Sequence, residues 1–157
     1  MSKFSSQNLT FIEVGFEHAA VLAEIHRRCF PGAAWSCDSI KEILVQNSNE
    51  GVIYCENDMP LGFVLWQRVT TETEILTICI DPEWQGKGYS RLLVVRMLKL
   101  LNQREVKKIF LEVAEDNITA ISLYLSVGFV EIARRPKYYQ KKDGISVDAM
   151  VMQLDVV

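Results

Sequence analysis

The sequence predicts a single α/β domain over residues 1–157, in which about four helices flank a mixed, partly antiparallel sheet of about seven strands. Two observations support this fold class. Apolar residues alternate at a period of two in several short segments and recur at helical spacing in others. Turn-forming pairs such as Pro-Gly and Asn-Asp separate these segments. A domain of this length buries about 70% of the surface of its unfolded chain, which is enough for a sizeable core.

The first half of the chain is predicted to form a strand, two helices and a β-hairpin. Apolar residues at helical spacing form one face of the first helix, and Pro31-Gly32 would end it. Ser36 or Asp38 is suited to cap the second helix, and Asn57-Asp58 is suited to the hairpin turn. The predicted elements are a strand at residues 8–14, helices at 17–30 and from about 36 through 45, and strands at 51–56 and 61–69.

The second half is predicted to contain a strand–helix–strand unit, then a short helix and a final strand pair. The helical connection between the first two strands makes them parallel and joins them by a right-handed crossover. Asn117 is suited to cap the short helix and Gly128 to end it. The predicted elements are strands at residues 74–80 and 107–113 with a helix after Gly88 between them, a helix from 117 through 127, and strands at 129–134 and 146–154 separated by a polar turn at 140–144.

The composition argues against several classes of protein. The net charge of −3 and the pI near 5.4 disfavour nucleic acid as the main ligand and are compatible with an amine-bearing substrate. The four cysteines form no Cys-x-x-Cys pair, and His18 and His26 are the only histidines, so we expect no metal. No apolar run is long enough to span a bilayer, and the N-terminal residues do not resemble a secretion signal. We therefore expect a cytoplasmic protein that does not bind membranes.

A glycine-containing loop, Gly86-Lys87-Gly88, lies between the predicted strand at residues 74–80 and the following helix. The N-terminus of a helix carries unpaired N–H groups and the positive end of the helix dipole, and glycine lets the backbone approach a phosphate closely. The loop matches neither the P-loop, which needs Gly-Lys followed by Ser or Thr, nor the Gly-x-Gly-x-x-Gly fingerprint of dinucleotide-binding proteins. It therefore predicts a pyrophosphate site of another kind, and a plain strand-to-helix turn is the alternative.

The pattern Gln85-x-x-Gly88-x-Ser90 resembles the Gln/Arg-x-x-Gly-x-Gly/Ala loop of the GNAT N-acetyltransferases, which binds the pyrophosphate of acetyl-coenzyme A; Ser90 departs from it but is small. A second segment, residues 111–129, matches the family's Asn-x-x-Ala-x-x-x-Tyr-x-x-x-Gly-Phe pattern after a strand. The resemblance covers roughly residues 8–153, is densest from 74 to 130, and implies the GNAT fold with acetyl-coenzyme A as co-substrate. The residues that it assigns to the coenzyme are Ile78, Cys79 and Ile80 for the pantetheine arm, Gly86, Lys87, Gly88, Tyr89, Ser90 and Arg91 for the pyrophosphate, and Asn117.

Glu112 and Tyr124 are the candidate catalytic residues. Glu112 interrupts an apolar strand and, by alternation, lies opposite Leu111 and Val113. A carboxylate there is costly unless it is paired, hydrated or functional. A buried carboxylate held by backbone N–H groups, or one at the solvated end of the strand, are the alternatives to a catalytic one. Tyr124, read from its neighbours alone, is a core tyrosine. The resemblance implies that Glu112 is a general base and Tyr124 a general acid. Cys79 could in principle be acetylated first, but it lies in the middle of a strand with no histidine nearby in the sequence to activate it, so we interpret it as a packing residue.

The acceptor is indicated by a narrower resemblance. Trp35-Ser36, the strand around Glu112 and the segment Arg134-Arg135-Pro-Lys-Tyr138-Tyr139 resemble the RimI-type subfamily, which acetylates the N-terminal alanine of a small-subunit ribosomal protein. Tyr138 and Tyr139 are candidates, on an exposed loop, for holding a peptide N-terminus, and a simple aromatic strand end is the alternative. Trp35 is a candidate for flanking the same groove, and stapling the second helix is the alternative. A small-molecule amine, a lysine side chain, or acyl-coenzyme A binding without catalysis are the alternatives. We expect a monomer or a weak dimer.

Overall fold

A computed structural model describes residues 9–141 and 143–156. Asn8, Lys142 and the rest of the N-terminal segment, on which parts of the predicted first strand and polar turn fall, lie outside the described residues. The described elements follow the predicted order. They are β1 (Leu9–Glu13), α1 (Ala19–Cys29), α2 (Cys37–Leu44), β2 (Asn49–Glu56), β3 (Met59–Val69), β4 (Glu72–Ile80), α3 (Tyr89–Gln103), β5 (Lys108–Ala114), α4 (Ile118–Ser126), β6 (Val130–Gln140) and β7 (Ser146–Asp155).

The strands are hydrogen-bonded in the order β1-β2-β3-β4-β5-β7-β6. The pair formed by β4 and β5 is parallel, with Thr73 opposite Ile109, and the pairs β1–β2, β2–β3, β5–β7 and β6–β7 are antiparallel. The predicted mixed α/β fold and its parallel strand–helix–strand unit are therefore confirmed. No helix among the described residues is both long enough and apolar enough to cross a membrane.

The chain divides into two compact units, and the expectation of one domain over residues 1–157 stays a prediction. The first unit comprises the chain up to Gln67 together with Leu76–Met97. In its core, α1 and α2 pack through apolar side chains against β2 and β3. Ser36 caps α2 by accepting a hydrogen bond from the Ser39 N–H group. Asn57 and Asp58 both adopt positive φ, which is the conformation of a two-residue hairpin turn.

The second unit comprises Arg68–Ile75 and the chain from Leu98 onward. Strand β5 has one buried face, formed by Ile109, Leu111 and Val113, and a half-buried face that carries Glu112. This alternation agrees with the sequence pattern. Asn117 caps α4 by accepting a hydrogen bond from the Ala120 N–H group at 3.2 Å.

Strand β6 differs from its prediction because it extends to Gln140 instead of ending at Arg134. Tyr138 and Tyr139 therefore lie in a strand and not on an exposed loop, and Tyr139 pairs with Val147 of β7. Pro136 conceals this extension in the sequence, since proline cannot donate to a ladder and is confined to edges and irregular positions of sheets. The strand accommodates Pro136 where its pairing with β7 is irregular, between Arg135 and Tyr139.

Candidate active site

The loop that follows β4 is fixed to its own unit at its first residue. The Asp81 N–H group donates to the Leu61 carbonyl at 2.7 Å, and the Asp81 carboxylate accepts a hydrogen bond from the Glu83 N–H group at 3.0 Å. Asp81 is buried and forms an ion pair with Arg28 of α1. Because both backbone and side chain of Asp81 are engaged, the start of the loop has a defined conformation.

Gln85, the first residue of the recognised motif, holds the end of β4. Its side-chain amide donates to the Ile80 carbonyl at 2.9 Å, and the Cys29 thiol donates to the same carbonyl at 3.1 Å. The carbonyl of Ile80, one of the three β4 residues assigned to the pantetheine arm, is therefore already engaged. Ile78 is half-buried, and the Cys79 side chain belongs to the core of the first unit.

Gly86 and Gly88 have the positive φ angles, 76° and 86°, that glycine adopts without strain. A Cβ atom built at either position meets no atom within 4 Å, so the space beside both residues is open. Among the residues that the structure describes, no group accepts a hydrogen bond from the N–H of Gly86, Lys87 or Gly88. Unpaired donors next to open space before a 15-residue helix suit an anion such as a diphosphate.

Tyr89, the first residue of α3, takes its place in the core. Its side chain is buried, and its hydroxyl donates to the Glu56 carboxylate of β2 at 3.2 Å. Burial and this hydrogen bond raise the pKa of Tyr89. The Tyr89 side chain is therefore not available to a phosphate, while Ser90 is half-buried and Arg91 is exposed. Local sequence patterns do not indicate that Glu56 anchors the helix, since this contact joins residues far apart in the chain.

The thiol of Cys79 is not suited to covalent catalysis. It lies within hydrogen-bonding reach of the Cys29 thiol, and this hydrogen bond, together with burial, raises the pKa of Cys79 far above its ordinary range. A thiol that stays protonated is a poor nucleophile. This agrees with the interpretation of Cys79 as a packing residue.

Glu112 is held by a partner that the sequence interpretation did not assign. The Nε atom of Arg135 on β6 lies 2.8 Å from Oε1 of Glu112. The Glu112 side chain is 17% exposed and that of Arg135 is 59% exposed. The carboxylate therefore combines an ion pair with partial access to solvent. Backbone N–H groups, one of the two alternatives that the sequence left open, are not its described partners.

Two tyrosines surround this ion pair. The Arg135 guanidinium lies 5.4 Å from the centre of the Tyr138 ring, and the Tyr138 and Tyr139 rings meet edge to face at 5.1 Å. Burial and the negative charge of Glu112 raise the pKa of Tyr139. We name Glu112, Arg135, Tyr138 and Tyr139 the carboxylate cluster. It contains one predicted catalytic residue and two predicted acceptor residues.

Tyr124 and Trp35 are placed by contacts within their own units. Tyr124 of α4 is buried and packs edge to face on Phe129 at 5.7 Å. Trp35 donates its backbone N–H to Nδ1 of His26 at 3.1 Å, and the two rings stack at 4.7 Å. Burial lowers the pKa of His26, so the neutral ring that accepts this bond is favoured. The contact between His26 and Trp35, like that between Tyr89 and Glu56, is one that sequence patterns did not indicate.

Comparisons with known proteins agree with the resemblance seen in the sequence. The model of the acetyltransferase (GNAT) family matches residues 19–129. The ribosomal protein bS18-alanine N-acetyltransferase of Haemophilus influenzae is 34% identical over 123 residues, which cover 75% of this chain and 80% of that protein.

Two solved structures extend the comparison to nearly the whole chain. The crystal structure of the ribosomal-protein-S18-alanine N-acetyltransferase from Escherichia coli has a TM-score of 0.89 and 28% identity, with 95% of this chain and 94% of that chain covered. A structure from Salmonella typhimurium determined with its cofactor acetyl-CoA has a TM-score of 0.78 at 22% identity, covers 95% and 94% of the two chains, and shares the fold.

Proposed function

Because the chain belongs to the acetyltransferase (GNAT) family, we propose that it transfers an acetyl group from acetyl-coenzyme A to the N-terminal α-amino group of an alanine in a small-subunit ribosomal protein. One observation carries the choice of acceptor. A relative named for the alanine of ribosomal protein bS18 matches this chain over four fifths of its own length.

The proposed coenzyme site uses backbone donors. The N–H groups of Gly86, Lys87 and Gly88, which have no acceptor in the described part of the chain, would hold the diphosphate together with the positive end of the α3 dipole. Tyr89, Ser90 and Arg91 would complete the binding turn. The pantetheine arm would pair with backbone groups of β4 and contact one side chain at the start of α4; the residues are Ile78, Cys79, Ile80 and Asn117. When bound, acetyl-coenzyme A supplies an acetyl group activated as a thioester.

Two side chains would move the protons of the reaction. An N-terminal amine has a pKa near 8 and is mostly protonated at neutral pH, so it must lose a proton before it can attack. The partly accessible carboxylate of Glu112 would take this proton, directly or through a water molecule. The Tyr124 hydroxyl would donate a proton to the departing sulfur atom. Trp35, Tyr138 and Tyr139 would hold the acceptor peptide.

The test is acetyl transfer by the full chain to short peptides that differ only in their first residue. We expect transfer from acetyl-coenzyme A to an alanine-first peptide with a ribosomal sequence, and none to the same peptide with a blocked terminus. Transfer only to polyamines or to lysine side chains would contradict the acceptor assignment and leave the enzyme class intact. Coenzyme binding without transfer to any amine would indicate a non-catalytic acyl-coenzyme A binding domain. The cytoplasmic location and the monomer or weak dimer stay predictions.

A further inference from the structure

Arg135 is the arginine of the carboxylate cluster, and the proposed reaction assigns it no role. We propose that Arg135 is a positioning residue that fixes one oxygen of Glu112 and leaves the other to receive the proton of the acceptor amine. This inference rests on the proposed function of Glu112 as the base. It adds a residue that the sequence resemblance did not assign.

The contact between the two side chains involves one carboxylate oxygen. Nε of Arg135 lies 2.8 Å from Oε1, and within residues 9–141 and 143–156 no other group forms a hydrogen bond or ion pair with the Glu112 carboxylate. Arginine keeps its charge at every pH at which the protein is folded, so the pair persists while the base works. Oε2, which has no described partner, can then accept a proton from an amine or from a bridging water molecule.

An irregularity in β6 brings Arg135 to this position. Arg135 is opposite Ala149 and Tyr139 is opposite Val147, so four residue steps on β6 span two steps on β7. Residues three apart on a regular strand point to opposite faces, yet the Arg135 guanidinium lies over the ring of Tyr138. The irregular segment therefore re-aims these side chains, as bulges beside active sites commonly do.

The irregular segment is itself held in place by hydrogen bonds. Lys137 has a φ of 53°, which is unusual for a residue other than glycine, and its N–H group donates to the Asp148 carboxylate at 3.0 Å. The Asp148 N–H group donates in turn to Glu115 at 3.2 Å. Because these hydrogen bonds tie the irregular segment of β6 to β7, the backbone that carries Arg135 is fixed, and its side chain can hold Glu112 in one position.

The neighbouring arginine has a different set of partners and provides a matched control. Arg134 pairs with Glu115 at 3.0 Å and with Glu131 at 2.6 Å, and it makes no described contact with Glu112. Its side chain is 44% exposed. Removing Arg134 takes the same charge from the same strand without releasing the carboxylate of Glu112.

The experiment compares steady-state kinetics of the wild-type chain with Arg135→Ala, Arg135→Gln and Arg134→Ala. A displacement of a reacting group by about 1 Å can slow a reaction on the order of 10²-fold. We therefore expect the kcat of both Arg135 variants to fall by up to this factor. The Kd for coenzyme A should change by less than about threefold, since it depends on other residues, and the KM for the acceptor should change much less than kcat. Added ethylguanidinium should restore part of the kcat of Arg135→Ala, and Arg134→Ala should keep the wild-type kcat.

Several results would overturn the inference. One is an unchanged kcat in Arg135→Ala, and another is an equal loss in Arg134→Ala. A lower acceptor KM in Arg135→Ala, together with competitive inhibition of this variant by ethylguanidinium, would mean that the Arg135 guanidinium occupies the place of the acceptor cation.

A panel of an alanine-first peptide, a polyamine and a lysine peptide separates this inference from the proposed function. A wild-type chain that acetylates only the polyamine overturns the acceptor assignment while Arg135 can still be tested, and a chain that acetylates none overturns both.

Discussion

The glycine loop of residues 85–91 and the carboxylate cluster present their chemistry in opposite ways. The loop offers backbone N–H groups, and its side chains serve to fix it: Gln85 holds the Ile80 carbonyl, and Tyr89 holds Glu56 in the core. The cluster offers a side-chain carboxylate, and other side chains fix it through Arg135. The difference teaches that substitutions in the loop should act on coenzyme affinity, whereas substitutions in the cluster should act on turnover.

Glu112→Gln is expected to have the largest effect. The amide keeps the shape of the side chain but cannot take a proton, and general-base catalysis typically contributes about 10²- to 10⁴-fold. We therefore expect kcat to fall by a factor in this range while the Kd for coenzyme A, measured by calorimetry, stays the same. Retained turnover would show that Glu112 is structural, and a parallel loss of coenzyme affinity would mean that the two regions do not act separately.

Gly88→Ala should have an intermediate effect, confined to the coenzyme. A non-glycine residue at a φ of 86° costs about 1–2 kcal/mol, and relief of this strain would turn the N–H groups of the loop away from a bound diphosphate. We expect the Kd for coenzyme A to rise roughly tenfold, which corresponds to about 1.4 kcal/mol, with little change in kcat.

Gly144→Ala is the matched control for this substitution. Gly144 has a φ of 82° and open space beside it, as Gly88 has, but it lies in the turn between β6 and β7. Its replacement should lower the midpoint of thermal unfolding by about as much as Gly88→Ala does, because the backbone strain is similar. It should leave the Kd for coenzyme A unchanged. Equal effects of the two alanines on coenzyme binding would contradict the assignment of the diphosphate to the loop.

The sequence predicted the features that arise from local chemistry. The element order, the cap by Asn117, the half-buried face of Glu112 and the glycine loop each follow from residues within about ten positions of one another. Periodicity and capping preferences are local signals, so one sequence is enough to read them. The family assignment rests on two such local segments and is confirmed by the comparisons.

Contacts between distant residues could not be predicted in the same way. The Arg135–Glu112 pair spans two strands that are not hydrogen-bonded to each other, and its geometry depends on an irregular pairing of β6 with β7. The hydrogen bond from Tyr89 to Glu56 likewise joins residues 33 positions apart. Nothing in the local pattern around Arg135 distinguishes it from Arg134, although the two arginines have different partners.

Tyr89→Phe tests whether the core contact beneath the loop is needed, and it should have the smallest effect on function. The substitution removes the hydroxyl that donates to the buried Glu56 carboxylate, and an unsatisfied buried group costs about 1–3 kcal/mol. We expect the free energy of unfolding, measured in urea, to fall by this amount. The Kd for coenzyme A should rise only a few-fold and kcat should not change.

Tyr54→Phe is the control for Tyr89→Phe, because it removes a buried tyrosine hydroxyl that has no described hydrogen bond. The Tyr54 ring lies 5.4 Å from that of Tyr89, but its hydroxyl is buried without a hydrogen-bond partner among the described residues, and burial raises its pKa to about 12. Removing a polar group that makes no hydrogen bond leaves no partner unsatisfied, so Tyr54→Phe should be neutral or stabilising. If Tyr89→Phe were equally neutral, the hydroxyl would contribute nothing to holding the start of α3, and the glycine loop would owe its conformation to Asp81 and Gln85 alone.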